Sequence, residues 1–302
     1  MENTVLILGG SGRFGRNATE AFKAAGWEVR QFDRATDNLW DAAWGASVIV
    51  NAWNPVYYDW ARDLGPLNAQ VIEVATASKS TVILPGNIYN FGRDMPSILG
   101  DDTPQNATTG LGRLRVDVEA AYRASSVQTI VLRAGDFLEK DASGNWFDKV
   151  IAPPLSKMKI TYPGALDVIH SWAYLPDMAR AAVLLAERRK SLPSFVDIPF
   201  EGYSLTARDL AAGFSEALGK TVTPKQMGWL PIWVAQPFWP LAKHLLEMRY
   251  LWDTPHQIDG SVLDQFCPEF RATPLVDALR YIAQDYVHPD QPVSPRRTTV
   301  VS

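Results

Sequence analysis

The chain has 302 residues, of which 47% are hydrophobic, and its formal net charge at pH 7 is −4. This length can build one large domain or slightly more, and the mildly acidic balance gives no sign of nucleic-acid binding. The single cysteine, Cys267, excludes an intramolecular disulfide and indicates a reducing compartment, so we expect a cytoplasmic protein. Four scattered histidines without cysteine partners make no metal-binding pattern.

The first predicted elements are a strand, a glycine-rich turn and a helix. Val5–Leu8 is an apolar run typical of a buried strand, and apolar residues at helical spacing begin at Ala18. Glycines Gly9, Gly10, Gly12 and Gly15 lie between them. Glycines at such a turn let the main chain approach a pyrophosphate, and the helix start offers free N–H groups to the anion. The pattern predicts a dinucleotide site, to which we assign Gly9, Ser11, Gly12, Arg13, Phe14, Gly15, Asp33, Arg34, Ala52 and Trp53.

Asp33 ends a second predicted strand, residues 27–32, about 20 residues after the glycines, where a carboxylate would hold ribose hydroxyls. Such a carboxylate repels the 2′-phosphate of NADP, whereas Arg13 and Arg34 could instead bind that phosphate. The cofactor is therefore predicted as NAD(P), with a slight preference for NAD.

Strands and helices alternate as far as residue 134. Only about 14 residues separate Asp33 from the next strand, residues 47–52, and a further crossover helix and strand do not fit there. This spacing predicts a doubly wound parallel sheet of the Rossmann type that is trimmed at one edge. The remaining segments of this half are a helix over 59–79, a strand over 81–84, a helix over 111–123 and a strand over 129–134.

The second half is predicted to form a smaller mixed lobe that binds substrate. We place the Rossmann part at 1–155, with strands added from 158–200, the substrate lobe at 156–290 and a flexible tail at 291–302. Residues 135–156 are expected to be a loop with one short helix. Further predicted elements are strands over 159–162 and 195–198, and helices over 177–187, 206–219 and 275–286.

The segment Trp229–Trp252 is rich in tryptophan, leucine and proline. Its prolines and charged residues interrupt the roughly 20 apolar residues that a membrane-spanning helix needs. We interpret the segment as a helical hairpin or kinked helix with an apolar face, and predict no membrane span. Core packing explains such a face, and contact with a membrane surface or with a second copy in a homodimer is the alternative.

These motifs together resemble the extended and atypical branch of the short-chain dehydrogenase/reductase superfamily, the NAD-dependent epimerase/dehydratase-like proteins. The resemblance rests on Gly9-x-x-Gly12-x-x-Gly15, on Asp33 and on the segment Tyr174-Leu-Pro-Asp-Met-Ala-Arg-Ala181, and covers most of residues 4–285. It implies a nicotinamide cofactor and a small-molecule substrate. Active members carry a catalytic serine, and a tyrosine and lysine four residues apart on a helix; their positions here hold Asn87, Leu111 and Arg115.

This departure leaves three functions open. In the first, Tyr89 supplies the phenol that transfers a proton, lying on the same side of an extended backbone as Asn87, which holds a carbonyl oxygen. Arg115 holds the ribose and favours ionisation of the tyrosine. This gives an oxidoreductase or epimerase-like enzyme for a small carbonyl, hydroxyl or sugar-type substrate. In the second, the protein senses NAD(P) without catalysis, and in the third it binds a nucleotide sugar as a binding module.

Substrate contacts are predicted on both lobes. The candidates at the sheet edge are Trp53, Tyr57 and Asn87, and those nearer the second lobe are Arg133, Asp136, Tyr162, His170 and Trp172.

Overall fold

The computed structural model describes residues 3–141 and 144–287, so the predicted tail at 291–302 lies outside the described residues. In chain order the strands are β1 Thr4–Leu8, β2 Glu28–Phe32, β3 Val48–Asn51, β4 Thr81–Gly86, β5 Ile98–Leu99, β6 Thr129–Arg133, β7 Asp136–Leu138, β8 Lys159–Tyr162, β9 His170–Tyr174, β10 Phe195–Pro199, β11 Tyr203–Leu205, β12 Thr223–Gln226 and β13 Gln257–Ile258. The helices are α1 Arg13–Ala24, α2 Leu39–Ala43, α3 Trp60–Ser78, α4 Gly110–Ala124, α5 Leu175–Arg188, α6 Ala207–Leu218, α7 Leu230–Ala235, α8 Pro240–Glu247, α9 Ser261–Phe266 and α10 Leu275–Val287.

A parallel sheet of six strands, in the order β10-β6-β4-β3-β1-β2, forms the centre of the fold. Alternate residues of β1 face opposite sides, so Val5 and Ile7 pack with α1 and α5, whereas Leu6 and Leu8 pack with α3 and α4. The sheet thus has a hydrophobic core on each face. This architecture confirms the predicted doubly wound α/β fold.

The sheet ends at β2, as the short spacing after Asp33 predicts. The chain returns from β2 through the five-residue helix α2 to β3, which pairs with β1 on its other side. The carboxyl ends of β1 and β3 therefore lie at the point where the strand order reverses. Open α/β sheets bind their ligands in the crevice at that point.

The second half contains a three-stranded sheet, β11-β9-β7, and the two-stranded pair β12-β8. Both pack on α6 and α10 through a core that includes Phe147, Trp172, Phe214 and Leu279. The expected loop at 135–156 is wrong at Asp136–Leu138, because these residues pair as β7 with β9. The lobe boundaries at 155 and 290 stay a prediction.

The segment formed by α7, α8 and the turn between them presents an apolar face. Five of its large hydrophobic side chains are exposed: Leu230, Trp233, Val234, Phe238 and Trp239. Among the residues that the structure describes, no helix is both long and apolar enough to cross a membrane. That a second copy covers this face in a homodimer stays a prediction, which the mass measured by sedimentation would decide.

A buried ion-pair network joins the sheet to α4. Arg133, at the end of β6, donates to both carboxylate oxygens of Asp197 on β10, and its Nη2 lies 2.6 Å from Glu119 Oε2 on α4. Its Nη1 donates to the main-chain oxygen of Asn87 at 2.5 Å. Burial opposes ionisation of Glu119, yet the charge and hydrogen bond of Arg133 leave the Glu119 pKa lowered. Arg133 is therefore a structural cation, and its prediction as a substrate contact is wrong.

We expect Arg133→Met to lower the free energy of unfolding by about 3–5 kcal/mol, because two carboxylates stay buried without their counter-charge. Urea denaturation measures the change. Arg280→Met removes a half-exposed arginine paired with Asp277 and should cost no more than about 1 kcal/mol. Equal effects of the two substitutions would contradict a stabilising role of the network.

Candidate active site

The glycine turn between β1 and α1 is closed so tightly that side chains are excluded. A Cβ added at Gly15 would lie 2.1 Å from the Gly9 oxygen, and one added at Gly9 would lie 2.8 Å from the Ala52 oxygen. Gly9 also has a φ of 76°, and its oxygen accepts from the Gly12 N–H at 2.9 Å. The glycines thus leave the main chain accessible at their positions along the turn, at the crevice between β1 and β3.

The other predicted cofactor residues surround this crevice. Asp33 is exposed just after β2, and its Oδ1 accepts from the N–H of Ala35 at 2.9 Å. The Arg34 guanidinium lies 5.5 Å from the centre of the Trp53 ring, which forms an edge contact with Phe32. Phe14 is buried under the turn, whereas Ser11 is exposed on it. The structure therefore brings the carboxyl ends of β1, β2 and β3 together.

A pair of tyrosines lies at the ends of the next strands. The hydroxyls of Tyr57, from the loop after β3, and Tyr89, after β4, are 2.6 Å apart. Tyr57 packs edge-on against Trp60 and contacts His244 of α8 at a ring distance of 6.5 Å. Sequence reasoning placed Tyr57 only among substrate contacts, because nothing local signals that two tyrosines 32 residues apart share a hydrogen bond.

The backbone around Tyr89 differs from the prediction. Residues Tyr89–Phe91 form a 3₁₀ turn, and the Tyr89 N–H donates to Asn87 Oδ1 at 3.0 Å. The expectation that Asn87 and Tyr89 share one side of an extended strand is therefore wrong. Asparagine side chains favour such a turn because their oxygen accepts from the main chain two residues later.

The predicted helix positions lie behind this turn. Leu111 is 2% exposed, and the buried Arg115 donates through Nη2 to the Pro85 oxygen at 2.6 Å while lying over the Trp60 ring. Arg115 Nε is buried without a partner in the described chain. Burial lowers the pKa of Arg115. Its role as a ribose contact stays a prediction.

Burial dominates the electrostatics of both phenols. It raises the pKa of Tyr57, and it raises that of Tyr89 well above the usual value, with further increases from Tyr57 and the charge of Asp136. Arg13 acts in the opposite direction on both phenols. The charge of Arg115 lowers the pKa of Tyr57, and the charge of Tyr89 raises the pKa of Arg115, so the expected bias toward ionisation is present. Burial outweighs this bias, and both phenols stay protonated at neutral pH.

Asp136 and His170 form a second polar group near the phenols. His170 Nε2 lies 2.8 Å from Asp136 Oδ2, and the His170 ring stacks on Trp252 with centroids 4.4 Å apart. His256 lies edge-on to His170 at 4.4 Å. Asp136 is partly exposed, whereas Tyr162 and Trp172, also predicted substrate contacts, are fully buried in the second lobe. No group of three or more metal-ligating side chains occurs in residues 3–141 and 144–287.

Comparison with known proteins shows the fold. No protein-family model and no curated protein matches the sequence. Among solved structures, the NAD-dependent NDP-hexosamine 5,6-dehydratase TunA, involved in tunicamycin biosynthesis, is 14% identical with a TM-score of 0.72, covering 96% of this chain and 99% of its own. The human epimerase family protein SDR39U1 (isoform 2), solved with NADPH, is 19% identical with a TM-score of 0.70, covering 93% and 99%.

L-threonine dehydrogenase from Phytophthora infestans is 16% identical with a TM-score of 0.71, covering 93% of this chain and 97% of its own. These neighbours span both halves of the molecule. The chain therefore has the fold of the extended short-chain dehydrogenase/reductase enzymes, and the resemblance found in the sequence is confirmed at the level of the fold.

We expect folding stability to fall as the pH drops from about 6.5 toward 3, in part because of His256. Burial first, and then the charge of His170, lower the pKa of His256 from 6.5 to about 3. In this window the unfolded chain binds a proton that the folded chain excludes, which costs at most about 1.4 kcal/mol per pH unit. Urea denaturation across this range should show a shallower slope for His256→Gln than for the wild-type protein. An unchanged slope for His256→Gln would contradict the assignment.

Proposed function

We propose that this chain binds NAD(P) at the glycine turn. The observation that carries the proposal is the absence of room for a Cβ at Gly15, 2.1 Å from the Gly9 oxygen, beside the crevice where the strand order reverses. A glycine-rich main chain at a helix start fits a pyrophosphate. The NAD-dependent dehydratase and the NADPH-bound epimerase family protein, which share the fold, support the same cofactor class.

Within this proposal, NAD is slightly preferred over NADP. The exposed carboxylate of Asp33 follows β2, where it would accept hydrogen bonds from ribose hydroxyls and repel a 2′-phosphate. Arg34 extends over the Trp53 ring and could bind that phosphate instead, so the preference rests on Asp33 lying directly at the strand end.

We further propose that the protein is an oxidoreductase or epimerase-like enzyme acting on a small carbonyl, hydroxyl or sugar-type substrate. Bound NAD(P) supplies a hydride acceptor or donor. Tyr89 gives a proton to the substrate oxygen as a carbonyl is reduced and recovers it in the reverse direction. Its raised pKa keeps this proton in place at neutral pH, and the Tyr57 hydroxyl, 2.6 Å away, orients it.

Asn87 and Arg115 complete the proposed site. The side-chain oxygen of Asn87 accepts from the Tyr89 N–H. The side-chain nitrogen of Asn87 makes no hydrogen bond within the described chain and can donate to the substrate carbonyl. Arg115 supports the turn from below through the Pro85 oxygen, and its unpartnered Nε is the group that could reach a ribose.

The alternatives are a regulator that senses NAD(P) without catalysis and a module that binds a nucleotide sugar. The loss of the helix tyrosine to Leu111 favours them, and the phenol pair favours the enzyme. A cytoplasmic location, inferred from the single buried thiol of Cys267, belongs to the proposal as well.

Calorimetric titration with NAD, NADH, NADP and NADPH should show tightest binding for the NAD pair. Gly15→Ala should weaken that binding by tenfold or more, because the new Cβ must displace the Gly9 peptide. Gly12→Ala, whose Cβ would lie 3.2 Å from the same oxygen, should have a smaller effect.

The matched control is Gly65→Ala, in the interior of α3, where the new Cβ meets nothing within 4 Å apart from its own chain neighbours and helix backbone, and this variant should bind like wild type. Thermal unfolding shows whether each variant is folded. Binding of none of the four nucleotides by folded wild-type protein would contradict the cofactor proposal.

Turnover in a screen of carbonyl compounds should fall by about 100-fold or more in Tyr89→Phe, because the proton donor is lost. Tyr57→Phe should lose less, because it removes only the group that orients the donor. Tyr58→Phe, an exposed neighbour, should be unchanged. Full turnover in Tyr89→Phe would contradict the catalytic role, and cofactor binding without turnover of any compound would favour the sensing regulator.

A further inference from the structure

Asp136 presents a carboxylate to the same site as the phenol pair. It begins β7, three residues after β6 ends at the carboxyl edge of the sheet. The neighbouring strand at this edge is β4, from which Tyr89 follows. After burial, its charge is among the causes that raise the pKa of Tyr57, Tyr89 and Tyr162. The Asp136 side chain is 30% exposed, although the histidine behind it is 1% exposed.

One oxygen of the Asp136 carboxylate is bound by a buried histidine, and the other is free within the part of the chain that the structure describes. Asp136 Oδ2 is bound by His170 Nε2, and the His170 ring is fixed between Trp252 and His256. Asp136 Oδ1 accepts no hydrogen bond within the described chain. His170 Nδ1 and His256 Nε2 are buried and make no hydrogen bond there. Neither nitrogen therefore donates a second hydrogen bond to Asp136. One acceptor oxygen therefore remains for a ligand.

The nearby arginines do not offer an anionic substrate a counter-charge. The guanidinium of Arg133 is engaged by Asp197 and Glu119, and that of Arg115 is buried and bound to the Pro85 oxygen. Arg13, the cation that acts on both phenols, begins α1 at the glycine turn and lies on the cofactor side in the proposed function. The charge of the buried Arg115 also acts on Tyr57, whereas the partly exposed Asp136 is an anion whose charge acts on both phenols.

We propose that the substrate carries a primary ammonium group close to its reacting carbonyl or hydroxyl carbon, and that Asp136 binds this ammonium. A carboxylate with a free oxygen forms a charge-assisted hydrogen bond with an ammonium group. The rings of Tyr57 and Tyr89 add faces that attract a cation. The inference rests on the proposed function, in which Tyr89 meets the oxygen of the same substrate, so the site would take amino alcohols and amino ketones.

Three probes with one carbon skeleton test the assignment: 1-amino-2-propanol, 1,2-propanediol and lactate. Calorimetry with wild-type protein, in the presence and in the absence of saturating NAD, should rank the affinities cation over neutral over anion. The cation should bind about tenfold or more tighter than the diol. In Asp136→Asn the ratio of cation to diol affinity should fall to near one. Asp94→Asn, which alters an exposed aspartate elsewhere, should keep the wild-type ratio.

Equal affinity for the three probes, no binding of any of them, tighter binding of lactate, or an unchanged ratio in Asp136→Asn would each overturn the ammonium assignment. These outcomes are separate from the nucleotide titration. A protein that binds NAD and turns over neutral carbonyl compounds keeps the proposed function while losing this inference. A protein that prefers the cation without binding any nucleotide keeps the inference about Asp136 and loses the proposed cofactor.

Discussion

The buried guanidinium of Arg133 connects the parallel sheet to the site built on its edge. Its partners come from a neighbouring strand, from a helix and from the main chain after β4, through Asp197, Glu119 and Asn87. Removing such charges from water is costly, so the group is tolerable only when nearly all of its donors are used. The hydrogen bond from Arg133 to the main-chain oxygen of Asn87 also fixes the start of the turn that carries Tyr89.

The way in which α4 is covered explains why the candidate phenol lies on the loop after β4 and not on α4. Thr109 caps the helix, and Glu247 at the end of α8 accepts from the Leu111 N–H at 3.0 Å. A carboxylate is favourable at a helix start because of the free N–H groups and the dipole. The second half of the chain therefore covers the first turn of α4, and Leu111 is buried beneath it. A side chain at that position faces protein, whereas the loop after β4 reaches the crevice.

The first half of the fold could be predicted from the sequence because its signals are local. Val5–Leu8, the glycines and Asp33 each follow from neighbouring residues, and even the trimmed edge follows from a count of residues. The second half could not be predicted as well, because β7 and β9 are short and pair over long distances. All five residues of His170–Tyr174 are buried, so the strand has no alternation of polar and apolar residues to detect.

The candidate site shows the same limit. Asn87 and Tyr89 were found by position, but their geometry depends on an asparagine turn and on Arg133, which a pattern of residue types does not reveal. The bond between Tyr57 and Tyr89 joins two loops whose separation in sequence carries no signal. What a sequence can supply here is the set of side chains at the strand ends. Which of them touch depends on the packing behind them.

The phenol pair lies in the fields of opposite charges: Arg13 on the side of the glycine turn, Asp136 on the side of the second lobe and, for Tyr57, the buried Arg115. Their effects on the phenols partly cancel, and burial then decides the protonation state. A phenol kept neutral in this way is a better proton donor to a developing alkoxide than a proton acceptor at neutral pH. In enzymes that pair a tyrosine with a lysine, the cation makes the phenol more acidic. Here Arg115 donates to the Pro85 oxygen, and burial outweighs the effect of its charge on Tyr57. The proton transfer that we propose for Tyr89 would therefore depend on desolvation and on the second phenol.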